Sequence, residues 1–205
     1  MSGTPIRLLL ADDQALVRSA LAALLDLEDD FEVVVEVGRG DEVVAAVKEH
    51  QPDVALLDIE MPGLDGLAAA AALQREVPTC RVAILTTFGR PGYLRRAMEA
   101  GALGFVVKDA PAEDLARAIR RVAAGERVVD PDLATLTLAG GTSPLTARER
   151  DVLVASRGGT TVAEIAAKLV LSEGTVRNYL SAAIAKTGTR NRIEAMQLAD
   201  EKGWL

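Results

Sequence analysis

Five short aliphatic runs, each followed by a longer amphipathic segment, fill the first 125 residues and leave few folds open. The runs are Ile6–Ala11, Phe31–Val37, Val54–Asp58, Arg81–Thr86 and Gly104–Lys108. The segments between and after them are Ala15–Leu27, Asp41–Glu49, Leu64–Glu76, Pro91–Ala100 and Pro111–Ala124. Strand-helix alternation of this kind predicts a parallel sheet with helices on both faces, here an α/β, doubly wound, five-stranded sheet. In the last segment Leu115, Ile119 and Val122 recur at spacings of four and three, so they share a face from which Arg117, Arg120 and Arg121 point away.

Ligands of such sheets bind beyond the carboxyl ends of the strands. The first strand ends in Asp12-Asp13, the third in Asp58, the fourth in Thr86-Thr87 and the fifth in Lys108. Each signal alone is weak, since an Asp pair after a strand is common as a turn or helix cap. Their joint occurrence, in order, is the informative observation. Three carboxylates on one rim repel unless a cation intervenes. With His50 and Cys80 the sole residues of their types, that cation must take oxygen ligands, and Mg²⁺ fits best. Asp58 can then attack a phosphoryl group, Lys108 can compensate the transferred charge, and Thr86 can bond a phosphoryl oxygen.

Beyond residue 125 the character changes. Residues 125–143 read as a linker containing Gly125, Pro131, Gly140, Gly141 and a short apolar interlude, Leu133–Leu138. Residues 1–143 carry 14 Lys/Arg against 23 Asp/Glu, a net −9, whereas 144–205 carry 9 against 7, a net +2. Only the C-terminal part is therefore suited to approach a polyanion. Thr146 and Glu149 form a capping-box pattern for a helix running to about Arg157. Thr161–Leu169, Glu173–Lys186 with Ser172 as N-cap, and Asn191–Lys202 follow as helices, and the turn at 170–172 suits a helix-turn-helix. On the third of these helices Val176, Leu180 and Ile184 should face the core while Arg177, Asn178 and Ser181 point outward. Arg and Asn are the side chains that bond guanine and adenine edges bidentately, although in isolation the same residues read as a merely solvated face.

Residues 6–124 resemble a response-regulator receiver domain, on the segments Leu10-Ala11-Asp12-Asp13, Leu57 to Gly66, Leu85-Thr86 and Gly104 to Lys108. The likeness implies that a partner histidine kinase phosphorylates Asp58 and that Asp12, Asp13, Asp58 and the backbone carbonyl of Glu60 surround Mg²⁺. It also implies that Thr86 and Phe105 form a conformational relay. Residues 144–205 resemble the LuxR-type DNA-binding domain of NarL/FixJ response regulators, on Leu145 to Leu153 and Leu171 to Tyr179. That likeness turns Arg177, Asn178 and Ser181 toward bases, and Thr175, Lys186 and Arg190 toward phosphates. Gly174, Tyr179 and Ala185 depart from the usual pattern and point to weak binding per subunit. Segments 59–63, 86–93, 108–111 and 201–205 are similar to the DesR subgroup, which responds to membrane fluidity and controls a lipid desaturase.

The resemblance implies domains at 1–124 and 144–205, a switch from an inactive form to a receiver-mediated homodimer, and double-stranded DNA as partner, with RNA polymerase as a further one. Val17, Leu21, Leu24, Ile119 and Val122 are the candidate dimer contacts, some of which must instead be core. Glu60 and Thr87 flank the phosphoacceptor and are expected to tune phosphate lifetime. The rival reading is a Mg²⁺-dependent phosphohydrolase of the haloacid dehalogenase type. Such enzymes place a second carboxylate two residues after the nucleophile, whereas Asp12 and Asp13 are adjacent, and no cap domain is available. A non-enzymatic regulator is therefore expected. The polar N-terminus and the lack of a run near the roughly 20 apolar residues of a membrane span predict a cytoplasmic protein with no membrane insertion.

Overall fold

The computed structural model describes residues 4–86, 91–129 and 143–205. The chain divides into two compact units, one N-terminal and one C-terminal.

In the N-terminal unit, six parallel strands lie in the order β2-β1-β3-β4-β5-β6. They are β1 Ile6–Ala11, β2 Phe31–Val37, β3 Val54–Asp58, β4 Arg81–Thr86, β5 Gly104–Val107 and β6 Val128–Val129. The expected five-stranded sheet is thus corrected to six. Val128 and Val129 pair with Gly104 and Phe105, inside the stretch read as linker. Two residues carry no periodicity, so this strand arises from pairing along the open edge of β5 rather than from a pattern. Gly125, with φ +85, turns the chain back after the preceding helix and makes that pairing geometrically accessible. Leu133–Leu138 and the rest of 130–142 lie outside the described residues, as do Thr87 and its neighbours to Arg90.

The helices are α1 Ala15–Leu25, α2 Val43–His50 after a 3₁₀ turn at Gly40–Glu42, α3 Gly66–Glu76, α4 Pro91–Glu99 and α5 Ala112–Ala123. Helix α3 starts at Gly66 rather than Leu64 because Asp65 caps it, its carboxylate accepting from the Ala68 N–H at 2.7 Å. Strands β1 and β3 are covered on both faces, which is why Leu8–Leu10 and Val54–Leu57 run apolar without alternation. On one side of the sheet Leu21, Leu25, Phe31, Leu115, Ile119 and Val122 join a single core. Arg120 holds the base of that layer, bonding Asp30 and Glu28 at 2.6–2.8 Å and lying 4.8 Å over the Phe31 ring.

This packing separates core residues from surface residues among the dimer candidates, some of which were expected to be core. Leu21, Ile119 and Val122 are core residues with at most 8% exposure, and Val17 is half-buried against the same core. Of the five, only Leu24 is exposed. Helix α1 carries two apolar stripes. The outer one, formed by exposed Leu16, Ala20, Ala23 and Leu24, continues to Leu27 just past the helix. Spacing alone gives two stripes and does not say which faces inward.

The C-terminal unit contains α6 Ala147–Ala155, a 3₁₀ turn Arg157–Gly159, α7 Val162–Leu169, α8 Glu173–Thr187 and α9 Arg192–Lys202. Side-chain caps set the starts: capping boxes at Thr146/Glu149 and Thr161/Glu164, Ser172 before α8 and Asn191 before α9. Its core gathers Leu145, Val152, Leu153, Ile165, Val176 and Leu180, with Trp204 packed against it. The Trp204 indole N–H is buried and finds no hydrogen-bond acceptor among the described residues. Val170, which ends α7, is 90% exposed and has φ 55, a left-handed conformation costing a non-glycine residue about 1–2 kcal/mol. Among the described residues no helix is long and apolar enough to cross a membrane.

Candidate functional site

Strand register builds the first site. Leu57 lies beside Ala11 of β1 and Asp58 beside Leu85 of β4, so the chain exits of β1, β3 and β4 fall on one rim. One carboxylate oxygen each from Asp12, Asp13 and Asp58 lies within 4.8 Å of the others. Asp12 and Asp58 are buried, and Asp13 is exposed. Lys108 follows β5, and its Nζ reaches 2.6 Å from Asp12 Oδ2 and 3.1 Å from Asp58 Oδ1. Its backbone N–H donates to the carbonyl of Thr86 at 2.7 Å, which ties the ammonium to the end of β4, where Thr86 is buried. The structure thus brings Asp12, Asp13, Asp58, Thr86 and Lys108 together. Phe105 is fully buried in β5, between Ile84 and Val129.

Burial pushes the Asp58 carboxyl above its ordinary range. The neighbouring Lys108 pulls it back in part, and the Asp12 charge adds to the rise. One ammonium does not balance three carboxylates. Asp12 Oδ2 is buried, with the Lys108 ammonium at ion-pair distance. An all-oxygen donor set whose three carboxylates outnumber the one ammonium beside them fits a hard divalent cation such as Mg²⁺.

The loop after Asp58 is held by close backbone packing. The Gly66 N–H donates to the Ile59 carbonyl at 2.9 Å, and the Gly40 N–H to that of Pro62 at 3.1 Å. A side chain at Gly66 would place its Cβ 1.9 Å from the Asp58 carbonyl oxygen. Glu60 is exposed in this loop. Arg18 escapes sequence reasoning. From α1 its guanidinium bonds the backbone carbonyl of Asp12 and lies 3.4 Å from Glu36, fixing the turn that carries the acidic pair. Nothing in its spacing separates it from an ordinary solvated helix arginine. Cys80 is buried, and desolvation first, then the Asp53 charge, push its thiol up to about 12, so it is no nucleophile at neutral pH.

The second site is the exposed face of α8. Val176 and Leu180 are buried as expected, together with Ala183, while Ile184 is half-buried. Arg177, Asn178 and Ser181 are exposed, and Thr175 is half-buried with its hydroxyl 2.8 Å from that of Ser172. Arg190 is exposed and bonds Glu194. Lys186, expected on a phosphate, instead places its Nζ 2.8–2.9 Å from both carboxylate oxygens of buried Glu149. The burial of Glu149 explains this, since a carboxylate taken from water needs a cation, and Lys186 is the side chain within reach.

Desolvation raises the Glu149 carboxyl, but the Lys186 bond and the Thr146 bonds together outweigh it, so its pKa is lowered on folding. A depressed carboxylate contributes stability at pH above its unfolded value, and that contribution is lost as pH falls through the folded value. Lys186→Met is expected to destabilise the C-terminal unit by about 1–3 kcal/mol at pH 7 and by less at a pH acid enough to protonate Glu149. Urea unfolding of the two proteins at both pH values, followed by circular dichroism, checks it. Equal loss at both values would contradict the ion-pair account.

Residues 8–120 match the family described as the response regulator receiver domain, and residues 143–199 match bacterial regulatory proteins of the luxR family. Among curated relatives, the transcriptional regulatory protein DesR of Bacillus subtilis is 47% identical over 200 residues, covering 98% of this chain and 99% of its own length. The uncharacterized transcriptional regulatory protein YvfU of the same organism is 45% identical over 200 residues, covering 98% and 100%. Among solved structures, the response regulator ChrA of a heme-sensing two-component system aligns with a TM-score of 0.61 and 34% identity, covering 99% of this chain and all of its own.

Proposed function

We propose, from the premise that this chain belongs to the response-regulator family with a LuxR-type DNA-binding domain, that it is a transcription regulator switched by phosphate on Asp58. The observation that carries the reading is the Lys108 ammonium set between buried Asp12 and Asp58, with Asp13 alongside, on one strand rim. A carboxylate oxygen of Asp58 bonds phosphorus as the P–N bond of a phosphohistidine on a sensor kinase breaks. Asp12, Asp13, Asp58 and the Glu60 carbonyl would hold Mg²⁺, which when bound supplies charge compensation to the phosphoryl oxygens. Lys108 does the same from the protein side. Thr86, at the next strand end, would bond a phosphoryl oxygen, and buried Phe105 in the neighbouring strand is the element that would respond.

Phosphate then has to favour a second conformation. Inverting a 1:99 population takes about 5.5 kcal/mol of differential binding. In our reading the favoured form is a homodimer that buries the outer stripe of α1, Leu16, Leu24 and Leu27, and presents two α8 helices to a twofold site in duplex DNA. Two linked half-sites raise effective concentration, which suits a domain of net charge only +2. In our reading lipid-desaturation genes, which the resemblance of segments 59–63, 86–93, 108–111 and 201–205 to the DesR subgroup implies, are the first targets to examine.

The full chain is expected to pass from monomer to dimer, by light scattering, when Mg²⁺ and beryllium trifluoride, a phosphoryl mimic, are added together. Leu24→Arg should stay monomeric. A wild-type mass that does not change while DNA binding stays cooperative would sink the dimer switch.

A further inference from the structure

Three cations were expected to serve DNA through α8 and the turn after it, and each is held by a carboxylate: Arg177 by Glu173 at 2.7 Å, Lys186 by Glu149 and Arg190 by Glu194 at 2.8 Å. Two of those carboxylates have structural duties. Glu149 closes the capping box of α6, and Glu194 accepts from the backbone N–H of Arg190 and the side chain of Asn191 at the start of α9. Glu173 has none. Ser172 caps α8 through the Thr175 N–H, and among the described residues the Glu173 carboxylate bonds only Arg177. Both side chains are about half exposed or more, so the pair adds little to folding.

Its position gives it another use. Glu173 is the first residue of α8, four before Arg177 and eight before Ser181, so the three form one stripe along the outward face. In a helix-turn-helix the N-terminal residues of the second helix approach the base edges. A fixed negative charge there repels phosphates and competes with them for Arg177. It does not oppose base edges in the same way, because guanine offers acceptors to the arginine and cytosine an amino donor to the carboxylate.

We propose that Glu173 is a specificity-determining residue: it withholds Arg177 from the DNA backbone, so that the arginine engages DNA well only at sites whose base edges satisfy the pair. The inference rests on the DNA-binding reading of α8. It accounts for a carboxylate on the face of a DNA-binding helix in a domain with little positive charge to spare.

The test compares full-length wild type, Glu173→Gln, Arg177→Gln and the Glu173→Gln/Arg177→Gln double variant on a random-sequence 30-base-pair duplex by fluorescence anisotropy from about 50 to 200 mM salt. Each protein is also taken through selection from a randomised duplex library. Glu173→Gln is expected to bind the random duplex about tenfold tighter at about 50 mM salt, with a salt slope steeper by about one phosphate contact. Its selected sites should lose base preference at one or two positions, and adding Arg177→Gln should abolish the gain. Unchanged random-duplex affinity and slope, or a gain that survives removal of Arg177, would overturn the inference while leaving DNA binding intact. If none of the proteins bound the duplex or enriched a sequence, the DNA-binding reading itself would fail, and the inference with it.

Discussion

Replacing Asp58 with alanine is expected to cut phosphate incorporation from acetyl phosphate at least about 100-fold, because the variant removes the nucleophile itself rather than a group that assists it. Asp12 is a poor substitute, since its Oδ2 is engaged by Lys108 at 2.6 Å. Asp13 is exposed, outside the desolvated part of the site. Lys108→Ala should retain Asp58 as acceptor and lose rate less severely, since one source of charge compensation goes and the nucleophile stays. Radiolabelled donor with gel detection of acid-stable, base-labile label reads both variants. Labelling of Asp58→Ala at the wild-type level would show that the buried cluster is not the acceptor site.

Gly66→Ala is expected to destabilise the N-terminal unit by about 3 kcal/mol or more and to weaken phosphorylation in whatever remains folded. The new Cβ would sit 1.9 Å from the Asp58 carbonyl oxygen, 2.9 Å from its carbon and 3.2 Å from the Ile59 Cα. All three are backbone atoms of the acceptor loop, so relief requires moving Asp58 itself. Gly38→Ala is the matched control. There the nearest atom is a guanidinium nitrogen of Arg18 at 3.4 Å, close to an ordinary van der Waals contact, and the change should be nearly neutral. Calorimetric melting of the three proteins decides between them. Equal melting temperatures for Gly66→Ala and wild type would mean that the loop yields more easily than its backbone bonds imply.

The two units differ in how much of them was legible in the sequence, and the difference is physical. Strands buried on both faces must be apolar throughout, so β1, β3 and β4 are written plainly and end where a polar residue meets the rim. The site was legible for the same reason, since each of its residues stands at such an ending. Caps were legible at Thr146 and Ser172, which act on their own neighbours, whereas Thr161 and Asn191, read as first residues of helices, stand just before them as caps. What escaped depends on distant partners. Val128 and Val129 become a strand only because β5 offers an unpaired edge. Lys186 looks outward until Glu149 is found buried 37 residues away. Arg18 acquires a role only when the turn of Asp12 folds back over it, and the inner and outer stripes of α1 are told apart only by α5.

Trp204 is the chain's sole tryptophan, packed against the C-terminal core with its indole N–H buried. The protein therefore carries a built-in optical reporter for one of its two units. Emission from that indole should shift to the red when the C-terminal core opens to water and stay silent while the phosphoacceptor unit unfolds by itself. Fluorescence followed beside calorimetry would then show, without any label, whether phosphate on Asp58 changes the stability of the unit that carries α8.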